Sequence, residues 1–435
     1  MAACGSERER LLSAIIEVTA RDGYVATTTG SLIATAGVSR RSLYECFAGK
    51  QECLLAALEL AHEQLLADVR RSVLAEPENG AQLAVESLVS FASAQPVAAR
   101  VVFGEAMAAG QAALDARDRA VDQIAQSIEA VYDPLDAGAA APDVSARMLI
   151  GGVCRLLASR LRRSGQIPPG IGRELIDWLR CYEQPLVMHR WRTLRPVPLP
   201  SPSASTSTLH SSQPQRAECL DASREGHAAH SRARIVAAVA RLAEQRGYAA
   251  TTIADISRQA ELSPRAFYRS FADKQEAFAA LHEHHFRALM GVTAGAFFAQ
   301  ADWPVRIWAA GRAFSRYLEQ NPTLARTSFI ESYAGDPVSL PRVEELVGAF
   351  TLFLQEGYHY RELETPPTAL ALEAIATTIF ELNYRYTRAG RVHELGTLIP
   401  HGAFISLAPF LGPEDTNDFI EMQMDADRHR VLDGS

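Results

Sequence analysis

The feature that most constrains this chain is an internal duplication. Residues 23–56 align with residues 247–280 without a gap, and 15 of these 34 positions are identical. Fainter matches continue downstream, where PVAARVVFGE from Pro96 corresponds to PTLARTSFIE from Pro322. The offset between the copies stays between 224 and 226 residues, about half of the 435-residue chain. Such a repeat predicts two copies of one architecture.

The repeating unit is predicted to be all-helical. Apolar residues recur at spacings of three and four, and no sustained alternation typical of strands is present. Leu11, Ile15 and Val18 mark one face of the first helix, and Gly23 follows it as a stop. The second copy repeats this pattern with Ile235, Val239, Leu242 and Gly247.

The two halves are separated by a segment dense in Pro, Ser and Thr, residues 196–217. Its composition is that of a solvated linker. Each half is expected to carry an N-terminal head and a larger regulatory body. The predicted domains are 1–56 (head one), 57–195 (body one), 196–226 (linker), 227–280 (head two) and 281–435 (body two).

Head one has the pattern of a helix-turn-helix. Thr28 is placed to cap a short helix, Gly37 suits a tight turn, and Ser39 is placed to cap a second helix. Leu43 and Phe47, four residues apart, are predicted to be buried. The remaining positions of the second helix are predicted to face outward: Arg40, Arg41, Ser42, Tyr44 and Glu45. The second helix of such a motif enters the DNA major groove.

Head two repeats the motif with different chemistry. Thr252 and Ser263 take the capping positions, and Phe267 and Phe271 are the buried pair. Glu261 stands where head one has its turn glycine, so this turn has to form without glycine. The predicted outward positions are Arg265, Ala266, Tyr268 and Arg269.

The segment GYVATTTGSLIATAGVSRRSLYECFAGKQECLL resembles the DNA-binding head of TetR-family transcriptional regulators, and so does the segment beginning at Gly247. Cys46 and Ser270 depart from the aromatic or histidine that the family usually has before the buried Phe. The resemblance implies an all-helical regulator of transcription that binds double-stranded DNA. It also implies a dimeric assembly and, often, a repressor released by a small ligand.

The outward residues are candidates for contact with DNA. Arg40, Arg41 and Arg265 are suited to hydrogen-bond the edge of a guanine base. The alternative is that each arginine pairs with a phosphate or makes no contact with DNA. Tyr44 and Tyr268 are suited to donate a hydrogen bond to phosphate, and packing alone is the alternative. Thr28 and Thr252 are suited to cap a helix, to contact phosphate, or to do both. The predicted DNA-binding residues are Thr28, Ser39, Arg40, Arg41, Ser42, Tyr44, Lys50, Thr252, Ser263, Arg265, Ala266, Tyr268, Arg269 and Lys274.

The chain contains only two lysines, Lys50 and Lys274, and both lie in a matched setting, FAGKQE and FADKQE. Each is predicted to open the helix that follows the recognition helix. A lysine at a helix N-terminus opposes the helix dipole unless an anion is bound there. Phosphate anchoring is therefore the favoured role, with a purely structural role as the alternative.

The two heads are expected to differ in affinity for DNA. Glu45 lies four residues after Arg41 and can pair with it, whereas the matching positions in head two are Arg265 and Arg269. Head one holds six basic and six acidic residues, and head two, over 231–280, holds eight and five. Head two is therefore expected to bind more strongly, with both heads active or head one vestigial.

The second body is rich in aromatic residues, which suits a cavity for a small apolar or aromatic effector. Aromatic packing without a cavity is the alternative. The predicted effector-binding residues are Trp308, Phe329, Tyr333, Phe353 and Tyr384.

In the family, the last helices of each body form a four-helix dimer interface. The matching segments here are 149–161 with 174–188, and 374–387 with 402–411. Because the two units share one chain, an intrachain pseudo-dimer is expected. The alternative is a homodimer of two chains that presents four heads.

Other classes of function lack support in the sequence. No phosphate loop, nucleophile elbow or paired-carboxylate motif is present, so neither an enzyme nor a cofactor is predicted. The six cysteines lack metal-site spacing, so no metal is predicted, and they suggest free thiols in the cytoplasm. No membrane partner is expected, since no apolar run is long enough. The net charge of −8 argues against general nucleic-acid binding, although a small head can still bind.

Overall fold

A computed structural model describes residues 2–130, 146–182, 224–246, 250–331, 339–360 and 366–432. Within these ranges the chain is helical and has no strand, which confirms the predicted all-helical class. The helices of the first half are α1 (Ala2–Asp22), α2 (Thr29–Ala36), α3 (Arg40–Cys46), α4 (Lys50–Ala75), α5 (Gly80–Ala94), α6 (Pro96–Phe103), α7 (Gln111–Glu129), α8 (Ala146–Ser164) and α9 (Ile171–Arg180).

The second half begins with the same succession of one long helix, two short helices and a second long helix. Its helices are α10 (Arg224–Arg246), α11 (Ile253–Gln259), α12 (Pro264–Ser270), α13 (Lys274–Phe298), α14 (Trp303–Gln320), α15 (Pro322–Arg326), α16 (Ser339–Gln355), α17 (Gly357–Tyr360), α18 (Ala369–Arg388), α19 (Ile399–Leu411) and α20 (Pro413–Leu432). A π-helical turn, Thr327–Glu331, follows α15, and a 3₁₀ segment, Val392–Leu398, precedes α19.

The heads have small cores built from the predicted residues. Leu43 is fully buried and Phe47 is 5% exposed in head one, and their counterparts Phe267 and Phe271 are equally enclosed. In head one this core continues into the body, whereas head two has a separate apolar cluster made by α10 to α13. Gly23 ends α1 with φ +77°, as predicted. Gly247 and most of the linker lie outside the described residues.

The two bodies are in contact through the helices nearest the end of each half. Helix α8 lies against α18, and the Tyr182 hydroxyl after α9 donates to the Ile405 carbonyl of α19 at 2.8 Å. The indole Nε1 of Trp178 donates to the same hydroxyl at 2.9 Å. An ion pair between Arg160 and Glu373 joins α8 to α18 at 2.8 Å.

A buried ion cluster lies at the centre of this contact. The Glu381 side chain is fully buried and accepts from Arg117 at 2.5 Å and from Arg155 at 2.6 Å, both from the first half. Its own neighbour Arg385, one turn along α18, donates to it at 2.9 Å. Burial alone would raise the pKa of Glu381, but the guanidinium groups of Arg117, Arg155 and Arg385 together lower it to about 2. Glu381 is therefore a carboxylate in the folded chain.

Candidate nucleic-acid interface

The first helix of each motif begins at a capping box. The amide of Ser31 donates to the Thr28 hydroxyl at 3.0 Å, and the amide of Thr28 donates back to Ser31 at 3.0 Å. In head two, Thr252 and Asp255 make the same reciprocal pair. Each threonine thus satisfies an otherwise unpaired amide and fixes where its helix begins. Both threonines are exposed, so the capping role leaves them accessible to a phosphate.

The recognition helices begin at serine caps. Ser39 accepts from the Ser42 amide at 3.0 Å, and Ser263 accepts from the Ala266 amide at 3.2 Å. Pro264 occupies the first helical position of α12, where a backbone N–H would have no acceptor within the helix. These local interactions set the phase of the helices and so decide which side chains point outward.

Most of the predicted contact residues are exposed on one side of each recognition helix. Tyr44 is 55% exposed and Tyr268 is 59% exposed, although an aromatic ring is ordinarily buried. The exposed residues among those predicted to contact DNA are Ser39, just before α3, with Arg40, Arg41 and Tyr44 in α3, and Ser263, just before α12, with Arg265, Tyr268 and Arg269 in α12. This arrangement presents guanidinium and hydroxyl groups on the surface, where bases and phosphates can meet them.

Ser42 and Ala266 were predicted to face outward, and this orientation is wrong. Ser42 is 9% exposed and Ala266 is 6% exposed. Both lie beside the buried pair, on the stripe of positions three and four residues apart that a short helix turns toward its core. The Ser42 hydroxyl is 2.8 Å from the Ser39 hydroxyl, so it supports the cap.

The turn between the two helices differs between the heads. Gly37 adopts φ +61°, a left-handed conformation that costs glycine nothing. Glu261 adopts φ +52° at the same place and is the one non-glycine residue with positive φ within the described ranges. An L side chain there costs about 1–2 kcal/mol. The fold of head two therefore retains the turn at some cost in stability.

Two arginines on the first helix of each head brace the motif, and sequence reasoning missed them. Arg10 donates to the Gly37 carbonyl at 3.1 Å, and Arg234 contacts the Glu261 carboxylate at 3.0 Å. Two residues earlier in each helix, a guanidinium lies over the buried Phe, with Arg232 4.2 Å from the ring centroid of Phe271. Their repetition at the offset of 224 residues was a signal that could have found them.

The charged residues of the recognition helices differ as predicted. Arg41 donates to Glu45 at 2.7 Å, and this hydrogen bond to the carboxylate raises the pKa of Arg41. In the described part of the chain no ion pair is found for Arg265 or Arg269. Head two therefore presents two uncommitted positive charges where head one presents a neutralised pair.

Lys50 is held by the loop before α2. Its ammonium donates to the carbonyls of Thr27 at 2.6 Å and Tyr24 at 3.1 Å, and lies 4.4 Å from the centroid of the Tyr24 ring. Two of its three donors are thus used inside the head. Burial lowers the pKa of Lys50, and it lowers the pKa of Lys274 likewise. The side chain thus has a structural role, and its contact with phosphate stays a prediction.

Acidic side chains accept backbone hydrogen bonds beside both lysines. The Asp273 carboxylate accepts from the Glu276 amide at 2.8 Å, and Glu276 accepts from the Ala272 amide at 2.6 Å. Glu52 accepts from the Ala48 amide in head one, where Gly49 offers no side-chain cap. The acidic caps offset the dipole penalty that a lysine carries at this end of a helix.

The predicted effector residues are dispersed in the second body. Phe353 lines a cavity of about 70 Å³ together with Phe314, Phe350 and Asn383, and Phe329 lies on a smaller adjoining cavity. Trp308 packs elsewhere and donates to Asp427, and Tyr384 belongs to the contact between the halves, where its hydroxyl donates to Asp118 at 3.2 Å. Tyr333 lies outside the described residues.

A second cavity, of about 130 Å³, lies between the halves. Its walls come from α8 on one side and from α16 and α18 on the other. Arg162 donates to Glu344 across it at 3.1 Å. Leu156 and Phe380 contribute apolar surface.

The paired caps, the tight turn and the exposed second helix define a helix-turn-helix DNA-binding protein with two heads. The sequence model of the family described as bacterial regulatory proteins, tetR family, matches residues 11–57 and, separately, residues 235–281. The chain thus carries the TetR-family DNA-binding domain twice and is a tandem TetR-like regulator of transcription.

Three solved structures show a weak likeness to parts of the chain. The fatty acid degradation regulator FadR from Bacillus halodurans is 16% identical and covers 40% of this chain and 92% of its own, with a TM-score of 0.36. FadR from Bacillus subtilis, solved with stearoyl-CoA, is 13% identical and covers 40% and 98%, with the same TM-score of 0.36. A tetR-family protein from Rhodococcus RHA1 is 20% identical and covers 44% and 94%, with a TM-score of 0.32.

No curated protein matches the sequence. Among the described helices, none combines the length and the apolar character that crossing a bilayer requires.

Proposed function

We propose that this protein is a ligand-responsive repressor that binds an imperfect palindrome of double-stranded DNA through both heads of one chain. The observation that carries the proposal is the pair of exposed but unlike recognition helices, with Arg41–Glu45 on one and Arg265 with Arg269 on the other. Two different recognition helices in one molecule require two different DNA half-sites. The acidic body explains how a chain of net charge −8 has local basic faces.

An intrachain pseudo-dimer is the proposed binding unit. The contact of α8 with α18 and the bond from Tyr182 to Ile405 support it, because they join the segments that the family uses for dimerisation. In-vitro selection of bound DNA, starting from random duplexes, tests the proposal. We expect a site with two different half-sites, and a strictly symmetric site would refute it.

A second candidate is favoured by the Arg41–Glu45 ion pair, which occupies the arginine best placed to read a base in head one. In this alternative head one is vestigial, and two chains pair to bind DNA through head two. Gel shifts on the selected site separate the candidates. Replacing Arg265 and Lys274 should weaken binding in both, whereas replacing Arg40 and Arg41 should weaken binding only if head one contacts DNA.

The effector is proposed to be a small apolar or aromatic molecule that binds in the second body. The cavity beside Phe353 supports this, since its wall is apolar apart from Asn383 and two serines, Ser315 and Ser406. Gly311 lines the same cavity, and a Cβ there would come no nearer than 4.0 Å to Ile399. A larger residue at position 311 would therefore fill the cavity.

Phenol is a suitable probe of this cavity, because its apolar ring suits the apolar wall and its hydroxyl can hydrogen-bond with Asn383. We expect phenol to raise the melting temperature and to weaken DNA binding, and Gly311→Leu to remove both effects while retaining DNA binding. If phenol acts equally on the Gly311→Leu variant, the effector site lies elsewhere. The heads match a family of regulators, and no catalytic role is proposed.

A further inference from the structure

The contact between the two bodies is asymmetric in its chemistry. Alignment of the halves at an offset of 225 places Glu381 on Leu156 and Phe380 on Arg155. In a two-fold contact each pair of residues recurs with the roles exchanged. The Arg155–Glu381 ion pair, 2.6 Å long, is therefore matched on the other side by Leu156 and Phe380, which both line the cavity between the halves.

The surrounding ion pairs also differ between the two sides. Arg388 of α18 pairs with Asp115 at 2.5 Å and with Asp118 at 3.1 Å, and Arg385 pairs with Asp122 at 2.7 Å, all on α7. The positions that correspond to these three aspartates in the second half are Leu340, Val343 and Val347. The second half instead offers Glu344 of α16, which pairs with Arg162 at 3.1 Å and with Arg163, the counterpart of Arg388, at 4.0 Å. The two sides of the contact thus use acids at different positions.

The backbone approach is one-sided as well. Helix α8 carries Gly151 and Gly152, where a Cβ would lie 2.6 Å from Glu381 and 2.3 Å from the Thr378 hydroxyl. A Cβ on Gly152 would also lie 2.8 Å from the Thr378 Cα, which no rotation of a side chain can relieve. The corresponding residues of the second half are Ala376 and Thr377, so only the first half admits this approach.

We infer that this interface accepts only a first half against a second half, and that like halves are excluded from pairing. Two first halves would enclose Arg155 and Arg117 without the carboxylate of Glu381. Two second halves would place Glu381 against Phe380 with only Arg385 of its own helix as a partner, and would bring Thr377 into the Thr378 backbone. A buried charge that loses its partner is strongly destabilising, so both wrong pairings carry a defect that the native pairing lacks. Glu381 and Gly152 are the residues that determine partner choice.

This inference rests on the intrachain pairing proposed above. A nicked form of the full chain tests the choice of partner half and the pairing of the halves separately. A protease site inserted within 200–212 separates the halves after the whole protein has folded. Heavy- and light-isotope preparations are then unfolded together in urea, refolded and analysed by native mass spectrometry. We expect only pairs of one first half with one second half. Pairs of like halves would overturn the inference alone, and the absence of any pairing would overturn the pseudo-dimer as well.

A relaxed variant provides the matched comparison. Arg155→Phe with Glu381→Leu places the Phe and Leu of the reciprocal contact on both sides and leaves Arg117 with Asp118, 3.2 Å away. In the nicked form we expect this double variant to form pairs of like first halves that the parent chain does not form. If the variant pairs as strictly as the parent, the ion cluster does not determine partner choice.

The intact chain supplies a measurement that does not depend on refolded halves. Arg155→Phe and Glu381→Leu should each lower the urea midpoint, because the first removes one of the three guanidinium partners of Glu381 and the second removes the carboxylate that Arg117 and Arg155 share. The double variant should recover at least half of the combined loss, which shows direct coupling across the halves. Additive losses would contradict the assigned role of this pair.

Discussion

At the scale of single residues, the two lysines show how much a contact in the folded chain adds to a sequence pattern. The matched FAGK and FADK segments predicted a helix start and a bound anion. In the structure the Lys50 ammonium lies between two carbonyl oxygens and a tyrosine ring. A compact ammonium fits such a site, whereas a planar guanidinium needs its donors spread in one plane. This geometry explains why a chain otherwise limited to arginine retains lysine here.

Lys50→Arg is expected to destabilise head one by about 1–2 kcal/mol, because the guanidinium cannot meet both carbonyls and the ring together. Hydrogen exchange at the amides of α2 measures the effect, and exchange should become faster. Arg40→Lys, on the exposed face of the recognition helix, is the control and should leave exchange unchanged. Unchanged exchange in Lys50→Arg would show that the contacts do not hold the loop.

Glu261→Gly is expected to stabilise head two, since glycine tolerates the left-handed turn and the exposed pair with Arg234 is worth little. A gain of about 1 kcal/mol would slow exchange at the amides of α12 roughly fivefold. The reciprocal change Gly37→Ala should accelerate exchange in α3. Faster exchange in Glu261→Gly would mean that the Arg234 contact outweighs the backbone cost.

At the scale of elements, local patterns predicted the head far better than they predicted the bodies. Thr28, Ser39 and Asp273 bond to amides three residues away, so the sequence alone located these helix starts. The error at Ser42 and Ala266 arose because each short recognition helix buries two neighbouring positions against the core. Only the position that carries a large apolar side chain, Leu43 or Phe267, was recognised as buried. The bracing role of Arg10 depends on a carbonyl 27 residues away, which leaves no composition signal.

Glu45→Arg is expected to raise DNA affinity, because it frees Arg41 and gives head one the same Arg–Arg pair as head two. Two added units of positive charge should steepen the dependence of binding on salt by about 1–2 in log–log slope. Fluorescence anisotropy across a salt series measures this. Glu86→Arg, an exposed body position, makes the same change in net charge and serves as the control. Equal effects of both variants would show that only overall charge matters.

The buried cluster gives the contact between α8 and α18 a defined pH dependence. The pKa of Glu381 falls from 4.5 to about 2 on folding, so its stabilisation is present above pH 4.5 and is lost as the pH falls toward 2. Near neutral pH, the free energy of unfolding from urea titration should be about 3 kcal/mol larger for the native chain than for Glu381→Gln. The difference should narrow below about pH 4.5. A difference that stays constant with pH would contradict the ionised state of Glu381.

At the scale of the whole molecule, the duplication predicted two units but not how they fit together. The resemblance to the family implied that the last helices of each body are the place of contact. It did not reveal Glu381, since the residues that bind it lie 264 and 226 positions earlier in the chain. Such pairings emerge only from the folded backbone. The linker and Tyr333, which were part of the predicted organisation, lie outside the described residues.

The two heads also differ in how they are attached. The core of head one continues into its body, while head two has a separate core. Fewer apolar contacts across a junction permit a lower free energy of local opening. We therefore expect head two to be the head whose orientation changes more when an effector binds in the second body. Hydrogen exchange with and without phenol compares the α10 and α1 amides, and an equal response of both would contradict this expectation.

One chain, with two unlike heads, is proposed to be the complete DNA-binding unit. Native mass spectrometry of the protein bound to its selected duplex counts the chains on each site. We expect one chain of 47.4 kDa for each duplex, with both half-sites protected from cleavage in a parallel footprint. Two chains on one duplex, or protection of a single half-site, would contradict it.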